Sequence, residues 1–465
     1  MFNSITIPAM LTGFVQSVVD KATIVTRAYR SFVANILSIK GQMAASTEKH
    51  VCPLCGTVMH QHGTTSITLV HTPVMHVFAD RTEIEVERAR YCCPSCGCTK
   101  QQPIPFKAQD HCITTALERY VCLLMERSFT LKQASQITGL NPKTIKEIDK
   151  KRLNNLYTVN GEGKVLKKPK RYSRYLAIDE FKLHDGNKYA THIMDLETGE
   201  VLWVLPGKTK KIVYDFIEHV GLEWMSHVVC LACDMNADFA SAFKEKCPHI
   251  DIVFDRFHIV KHFNEDVIAK VRKDEQKRLI DEGRKEEAAR LKRSKYILGK
   301  KKENLQKADE KAGTVRRKGS ELFNFPETQR YGGQEARLRG ILADNELLLA
   351  TDVVKEALSE AYNPMVTEEG MPPRRKTMKE MQWEIEVIII MCDETKNEHF
   401  KKFGRLLKNH IDGIVTFAKY NLSSGKIEGF NNKIKTIRRA GYGYPDDEYF
   451  FLKIMDASRH GHAQK

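Results

Sequence analysis

The 465-residue chain lacks an apolar run long enough to cross a bilayer, for which about 20 residues are needed. Its first 45 residues are mildly apolar, but Asp20, Lys21, Arg27 and Arg30 break them, and no small-residue cleavage site follows a compact apolar core. Neither a secretory leader nor a membrane anchor is expected. No repeat of fixed period occurs, which argues against solenoids and propellers. Acid is in short supply, with 59 Asp and Glu against 74 Lys and Arg, a formal charge of +15. Such an excess attracts polyanions and releases their counterions, so nucleic acid is the first partner to consider. The twelve cysteines do not form a disulfide framework, because the chain is large, several sit singly in apolar runs and others pair as C-x-x-C. Zinc in a reducing cytoplasm is the better expectation.

What is present reads as about two to four domains. Residues 1 to 45 show Phe14, Val15, Val18 and Val19 at helical spacing, which predicts one or two amphipathic helices. Residues 50–110, rich in Cys, Pro, Gly, Thr and Val, predict a small β module whose thin core needs a metal. Cys52-Pro-Leu-Cys55-Gly and Cys93-Pro-Ser-Cys96-Gly each turn two thiolates onto one tetrahedral ion, with glycine permitting the tight turn. Cys92 and Cys98 flank the second knuckle and His60 and His62 follow the first, so one ligand could differ from Cys52, Cys55, Cys93 and Cys96.

Leu131 to Ile148 then predicts a helix-turn-helix, with Gly139 in the turn, Asn141 as cap and Pro142 opening the second helix. Ala134, Ile137, Leu140, Ile145 and Ile148 would fill the angle, leaving Lys143, Thr144 and Lys146 outward to meet DNA. A plain helical hairpin shows the same spacing.

Beyond Lys170 the apolar pattern predicts β-β-β-α-β-α-β, followed by long Lys, Arg and Glu runs at helical spacing. Asp179 interrupts an apolar strand, where a carboxylate is costly unless a cation compensates it. Glu180 should point to the other face. Asp234 ends a second buried strand, and Asp255 ends a third, making it the rival to Asp234. The helix after Ser423 or Ser424, one of which would cap it, carries Glu428, Asn431 or Asn432, Lys435 and Arg439 at helical spacing, an acid followed by amide and cationic groups. Three acids converging on one site would suit magnesium, or manganese, which prefers hard oxygen ligands. Trp203, Trp224 and Trp383 read as core, although one in a helical insertion could stack on an extruded base.

The order of the two knuckles, the helix-turn-helix, Ile178-Asp179-Glu180, Asp255-Arg-Phe-His258, Glu428-Gly-Phe-Asn-Asn and Arg438-Arg439-Ala-Gly-Tyr-Gly-Tyr444 resembles the ISL-three family of bacterial insertion-sequence transposases over nearly the whole chain after residue 50. The expected architecture is an α+β multidomain protein: a helical arm (1–49), read from the residues alone and without a counterpart in the family, a zinc-binding domain (50–110), a helix-turn-helix domain (111–165) and, as the resemblance implies, a ribonuclease-H-like catalytic domain (166–264 and 415–465) interrupted by a helical insertion (265–414). The resemblance implies catalytic Asp179, Asp234 and Glu428 binding Mg²⁺ or Mn²⁺, supporting Asp255 and His258, and structural zinc. DNA contacts would include Lys143, Thr144, Lys146, Lys435, Arg438 and Arg439. The expected partners are double-stranded terminal inverted repeats, target DNA and further copies of the chain, with no membrane, in the bacterial cytoplasm at the nucleoid. The competing expectations are a non-catalytic DNA-binding relative and a junction-resolving nuclease.

Overall fold

The computed structural model describes residues 21–28, 33–43, 49–72, 81–161, 163, 165–186, 188–235, 237–317, 333–366, 372–422, 425–441 and 444–460. The chain divides into two compact units, Met1–Lys167 with Ile434–Lys465, and Lys168–Lys433. Among the described residues no helix is long and apolar enough to cross a membrane.

The first unit holds a five-stranded sheet. Its strands are β1 (Lys21–Ala28), β2 (Val33–Gln42), β3 (His60–His71), β4 (Arg81–Cys92) and β5 (Thr99–Gln101), ordered β1-β2-β4-β3 with β5 also on β4. Leu37, Ile39, Leu69, Ile84, Val86 and Ile104 form its core. The helices expected over residues 1–45 are therefore replaced by strands wherever that segment is described. Thr23 to Thr26 and Val33 to Ile39 are rich in β-branched residues, stiff about χ1 and at home in a ladder, and β4 supplies a parallel partner for β2. Phe14, Val15, Val18 and Val19 lie outside the described residues.

Next come α1 (Thr115–Glu126), α2 (Leu131–Thr138) and α3 (Pro142–Tyr157). Thr130 and Gln133 close a capping box on α2, Gly139 ends it at φ +70°, and Asn141 Oδ1 accepts from Lys143 N at 2.8 Å to start α3. Ala134, Leu140, Ile145 and Ile148 are buried with Leu117 and Val121, as the helix-turn-helix pattern requires.

The last helix, Asp447–His460, packs on α3, so it joins the first unit rather than the α/β core to which residues 415–465 were assigned. A buried ionic network explains this. Arg152 donates to Asp149 at 2.8 Å and to Asp456 at 2.8 Å, Tyr449 Oη donates to Asp149 at 2.7 Å, and Tyr157 Oη donates to Asp456 at 2.8 Å. Asp149 and Asp456 are almost fully buried, and each needs the other helix to satisfy it.

In the second unit β6 (Tyr175–Lys182), β7 (Tyr189–Asp195) and β8 (Val201–Pro206) form an antiparallel meander. α4 (Lys210–Val220) and the short α5 (Leu222–Met225) lead to β9 (Cys230–Cys233), and α6 (Ala237–Lys246) leads to β10 (Asp251–Phe254). The sheet order is β10-β9-β6-β7-β8, with β9 parallel to β6 and β10 parallel to β9. The strand and helix order is the one read from the sequence, except that Thr209 to Met225 breaks at Gly221, where φ is +92°. From α7 (Arg256–His262) to Tyr420 the described chain is almost entirely helical.

Trp203 and Trp224 are buried as expected, but Trp383 is 66% exposed. On the helix Met378–Glu394 the buried side is set by Met381 and Ile385; Trp383 lies two residues, about 200°, from each.

Asp149→Ala takes the acceptor from the buried Tyr449 hydroxyl and from Lys453 and leaves Arg152 leaning on Asp456, and breaking such a buried pair typically costs about 3–5 kcal/mol. Hydrogen exchange of the α3 amides in the full chain should accelerate by about a hundredfold or more; unchanged protection would remove the network from the stability of this unit.

Candidate active site

The β6–β9 ladder determines which acids meet. Its last pair is Ala177 with Ala232, and Asp179 and Asp234 each stand two residues further along their strands. Side chains alternate along a strand, so Asp179, inside β6, and Asp234, one residue past β9, leave the same face just beyond the paired segment of the two parallel strands. Asp255 follows β10, one strand further out. Its carboxylate accepts from Phe257 N at 2.9 Å and so caps α7, which carries His258. The His258 ring lies between two acids, with Nδ1 3.9 Å from Asp234 Oδ2 and Nε2 3.9 Å from Asp255 Oδ2.

The helix Gly425–Ala440 brings Glu428 and, one turn later, Asn431. Asn431 Nδ2 donates to Asp179 Oδ2 at 2.6 Å, and Lys426 Nζ donates to Leu196 O at 2.6 Å, fastening this helix to the sheet. Ile427 and Phe430 are buried and Glu428 is half-buried. Ser423 and Ser424 lie outside the described residues.

Burial pushes the Asp179 carboxyl up to about 6, helped by the negative charge of Asp234 and opposed by the Glu180 N–H, His258 and Asn431. Glu180 follows Asp179 on β6, where strand alternation turns it to the other face. Burial raises its carboxyl too; it senses Lys208, Asp234 and His258, and its Oε2 is buried without a hydrogen-bond partner. His192, paired with Asp179 across β6 and β7, is fully buried beside Phe181 and Phe430; burial holds it neutral, with its pKa pushed down to about 4. A histidine inside a continuously apolar strand was the only signal for it. Asn431 was legible only as one of two neighbouring amides.

Crowded acids raised by burial, together with buried oxygens lacking partners on Glu180 and Asn431, are the surroundings a hard divalent cation relieves. The oxygens are nonetheless more open than the sulfur site. Among the described residues, the only group of three or more metal-ligating side chains with donor atoms all within 4.8 Å is Cys52, Cys55, Cys93 and Cys96.

Those cysteines are free thiols. The antiparallel β3–β4 ladder pairs His60 with Cys92 and so brings the two knuckles together. Each knuckle repeats one turn, with Gly56 N bonded to Cys52 O and Gly97 N to Cys93 O, both at 3.0 Å and both glycines near φ +72°. Sulfur separations of 3.5, 3.5 and 3.6 Å approach the about 3.8 Å edge of a tetrahedron with Zn–S of about 2.3 Å. Backbone amides of Cys55 and Leu54 hold the Cys52 thiol below its ordinary value. The set fits a zinc-binding module, and the exposed His60 and His62 stand outside it.

A family model described as a transposase, of the ISL3 (ISL-three) DDE type, matches residues 176–454. The chain belongs to this transposase family. It is similar to the transposase for insertion sequence element IS1001 of Bordetella parapertussis, 26% identical over 409 residues that cover 88% of each chain. It is also similar to the transposase for IS1557 of Mycobacterium tuberculosis, 24% identical over 286 residues, 61% of this chain and 59% of that one.

The residues expected to touch DNA in this transposase divide by environment. Lys143 is exposed and Thr144 half-buried on the first turn of α3. Lys146, expected outward, turns onto the terminal segment, 3.0 Å from Asp446 and 5.6 Å from the Tyr449 ring centre. It shares a helix face with Lys150, which binds the same carboxylate. Lys435 and Arg439 are exposed and Arg438 is half-buried.

Two outcomes follow. Stripping metal with a chelator should abolish the folded signature of residues 49–101 and release about one zinc per chain; freshly purified protein without zinc would exclude the assignment. For Asp179 the fold favours the protonated acid, so ionisation costs stability above about pH 6 and nothing below the ordinary carboxylate value of 3.8. In magnesium-free buffer with zinc retained, Asp179→Asn should melt a few degrees above wild type at pH 8. The gap should close as pH falls through 6 to 4, and a variant less stable than wild type at pH 8 would refute the burial argument.

Proposed function

We propose that this family member is an active DNA transposase that cleaves transposon ends and joins their 3′-hydroxyls to target DNA. The observation carrying the proposal is the pair of carboxylates, Asp179 and Asp234, at matched positions on neighbouring parallel strands, with the Glu428 helix bonded to Asp179 through Asn431. Three antiparallel strands followed by two parallel ones, in the order β10-β9-β6-β7-β8, support a ribonuclease-H-like reading of this sheet.

Asp179, Asp234 and Glu428 would hold Mg²⁺ or Mn²⁺, which when bound activates the attacking oxygen and stabilises the leaving one. The chain's own residues prepare that site. The ladder aligns the first two acids, the Lys426 contacts anchor the helix of the third, and the Asp255 cap presents His258 to Asp234. Asp255 is thus a supporting residue, already engaged by the start of α7. The zinc module and helix-turn-helix would bind terminal inverted repeats, with Lys143 and Thr144 at the base edges, while Lys435, Arg438 and Arg439 would contact DNA backbone. Holding two ends for concerted joining calls for a dimer or larger assembly, working on DNA in the bacterial cytoplasm.

Incubating the protein with end-labelled transposon-end DNA and magnesium tests this. Asp179→Asn, Asp234→Asn and Glu428→Gln should each lose about a thousandfold or more in cleavage while still retarding the DNA, a loss of several kcal/mol in the transition state. Asp255→Asn should retain measurable cleavage. Activity surviving in Asp234→Asn but lost in Asp255→Asn would reverse the assignment; binding without cleavage by wild type would leave a DNA-binding protein.

A further inference from the structure

Asn431 is chemically out of balance where it stands. Its Nδ2 donates to Asp179 at 2.6 Å, yet its Oδ1 is buried with no hydrogen-bond partner. Leaving a carbonyl oxygen unsatisfied in a buried setting is costly. Turning the amide over gives no relief, because its oxygen would then face the carboxylate of Asp179. The amide sense is thus fixed by the acid, and a hard neutral oxygen is left beside it. Its place on the helix is fixed as well, between the buried Phe430 and the half-buried Lys433, whose amine burial pulls below its ordinary value.

We infer that Asn431 is a positioning residue of the acid site: its N–H sets the orientation of the Asp179 carboxylate, and its Oδ1 adds a neutral oxygen to the donor set that takes the divalent cation. The inference rests on the reading of Asp179, Asp234 and Glu428 as that cation's site. A hard cation accepts amide and carboxylate oxygens together, and groups that orient a ligand commonly alter metal affinity by about 10–100-fold. A purely structural asparagine would instead fill space and hold the helix to the sheet, functions a leucine of similar size can share.

The test is Mn²⁺ binding by the full-length, zinc-loaded protein without DNA, read from the electron paramagnetic resonance signal of free Mn²⁺, with melting of the Mn²⁺-free protein as a check on folding. Asn431→Leu should weaken Mn²⁺ binding at least about tenfold without a comparable fall in melting temperature. Asn431→Asp, which keeps an oxygen donor but loses the N–H that orients Asp179, should recover part of the affinity lost in the leucine variant. If the leucine variant does not fold, Asn431→Ala takes its place under the same criteria. Affinity of Asn431→Leu within twofold of wild type, while Asp179→Asn loses binding, overturns the inference and leaves the acid site standing. Equal losses in Asn431→Asp and Asn431→Leu overturn it too, because the oxygen would then contribute nothing. Mn²⁺ binding unchanged in Asp179→Asn would instead sink the acid-site reading, and this inference with it.

Discussion

The parallel pairing of β6 with β9 is the constraint on which the candidate site depends. A carboxylate on a buried strand is poorly solvated, and a second one beside it adds repulsion. The ladder imposes that arrangement, because Asp179 and Asp234 lie equally far beyond the last paired residues. The raised Asp179 carboxyl expresses the resulting cost. Surrounding groups temper it: the Glu180 N–H, the Asn431 amide and the His258 ring all favour the ionised form.

The thiol cluster and the proposed cation site would solve different problems. The thiols converge among themselves, because two identical knuckles hang from the ends of one antiparallel hairpin and need only a soft tetrahedral ion to close the set. The oxygens proposed for the second ion come from two neighbouring strands and a helix far away in sequence, and remain more open than the thiols. That contrast suits one ion that holds a thin-cored module together and another that shares its coordination with water and phosphate.

The buried ionic network of the first unit shows how remote sequence enters local architecture. Asp149 and Arg152 read as ordinary charges on an amphipathic helix, yet they are buried because Tyr449, Lys453 and Asp456 complete them. The same packing takes Lys146 away from solvent and leaves the first turn of α3 as its more open part.

Local pattern alone determined the knuckles, the capped helices around Gly139 and the alternation of strands and helices through β10, since each depends on residues within a few positions of one another. The three acids were legible as polar interruptions at apolar strand ends or on a helix face. Tertiary structure decided which strand end lies beside Asp179, that Asn431 is bonded to it, that Trp383 faces water, and that Lys21–Ala28 and Val33–Gln42 enter a sheet. None of these could be read from spacing, because strand adjacency and burial are properties of pairing between distant segments. An isolated sequence window carries no record of which partner will cover it.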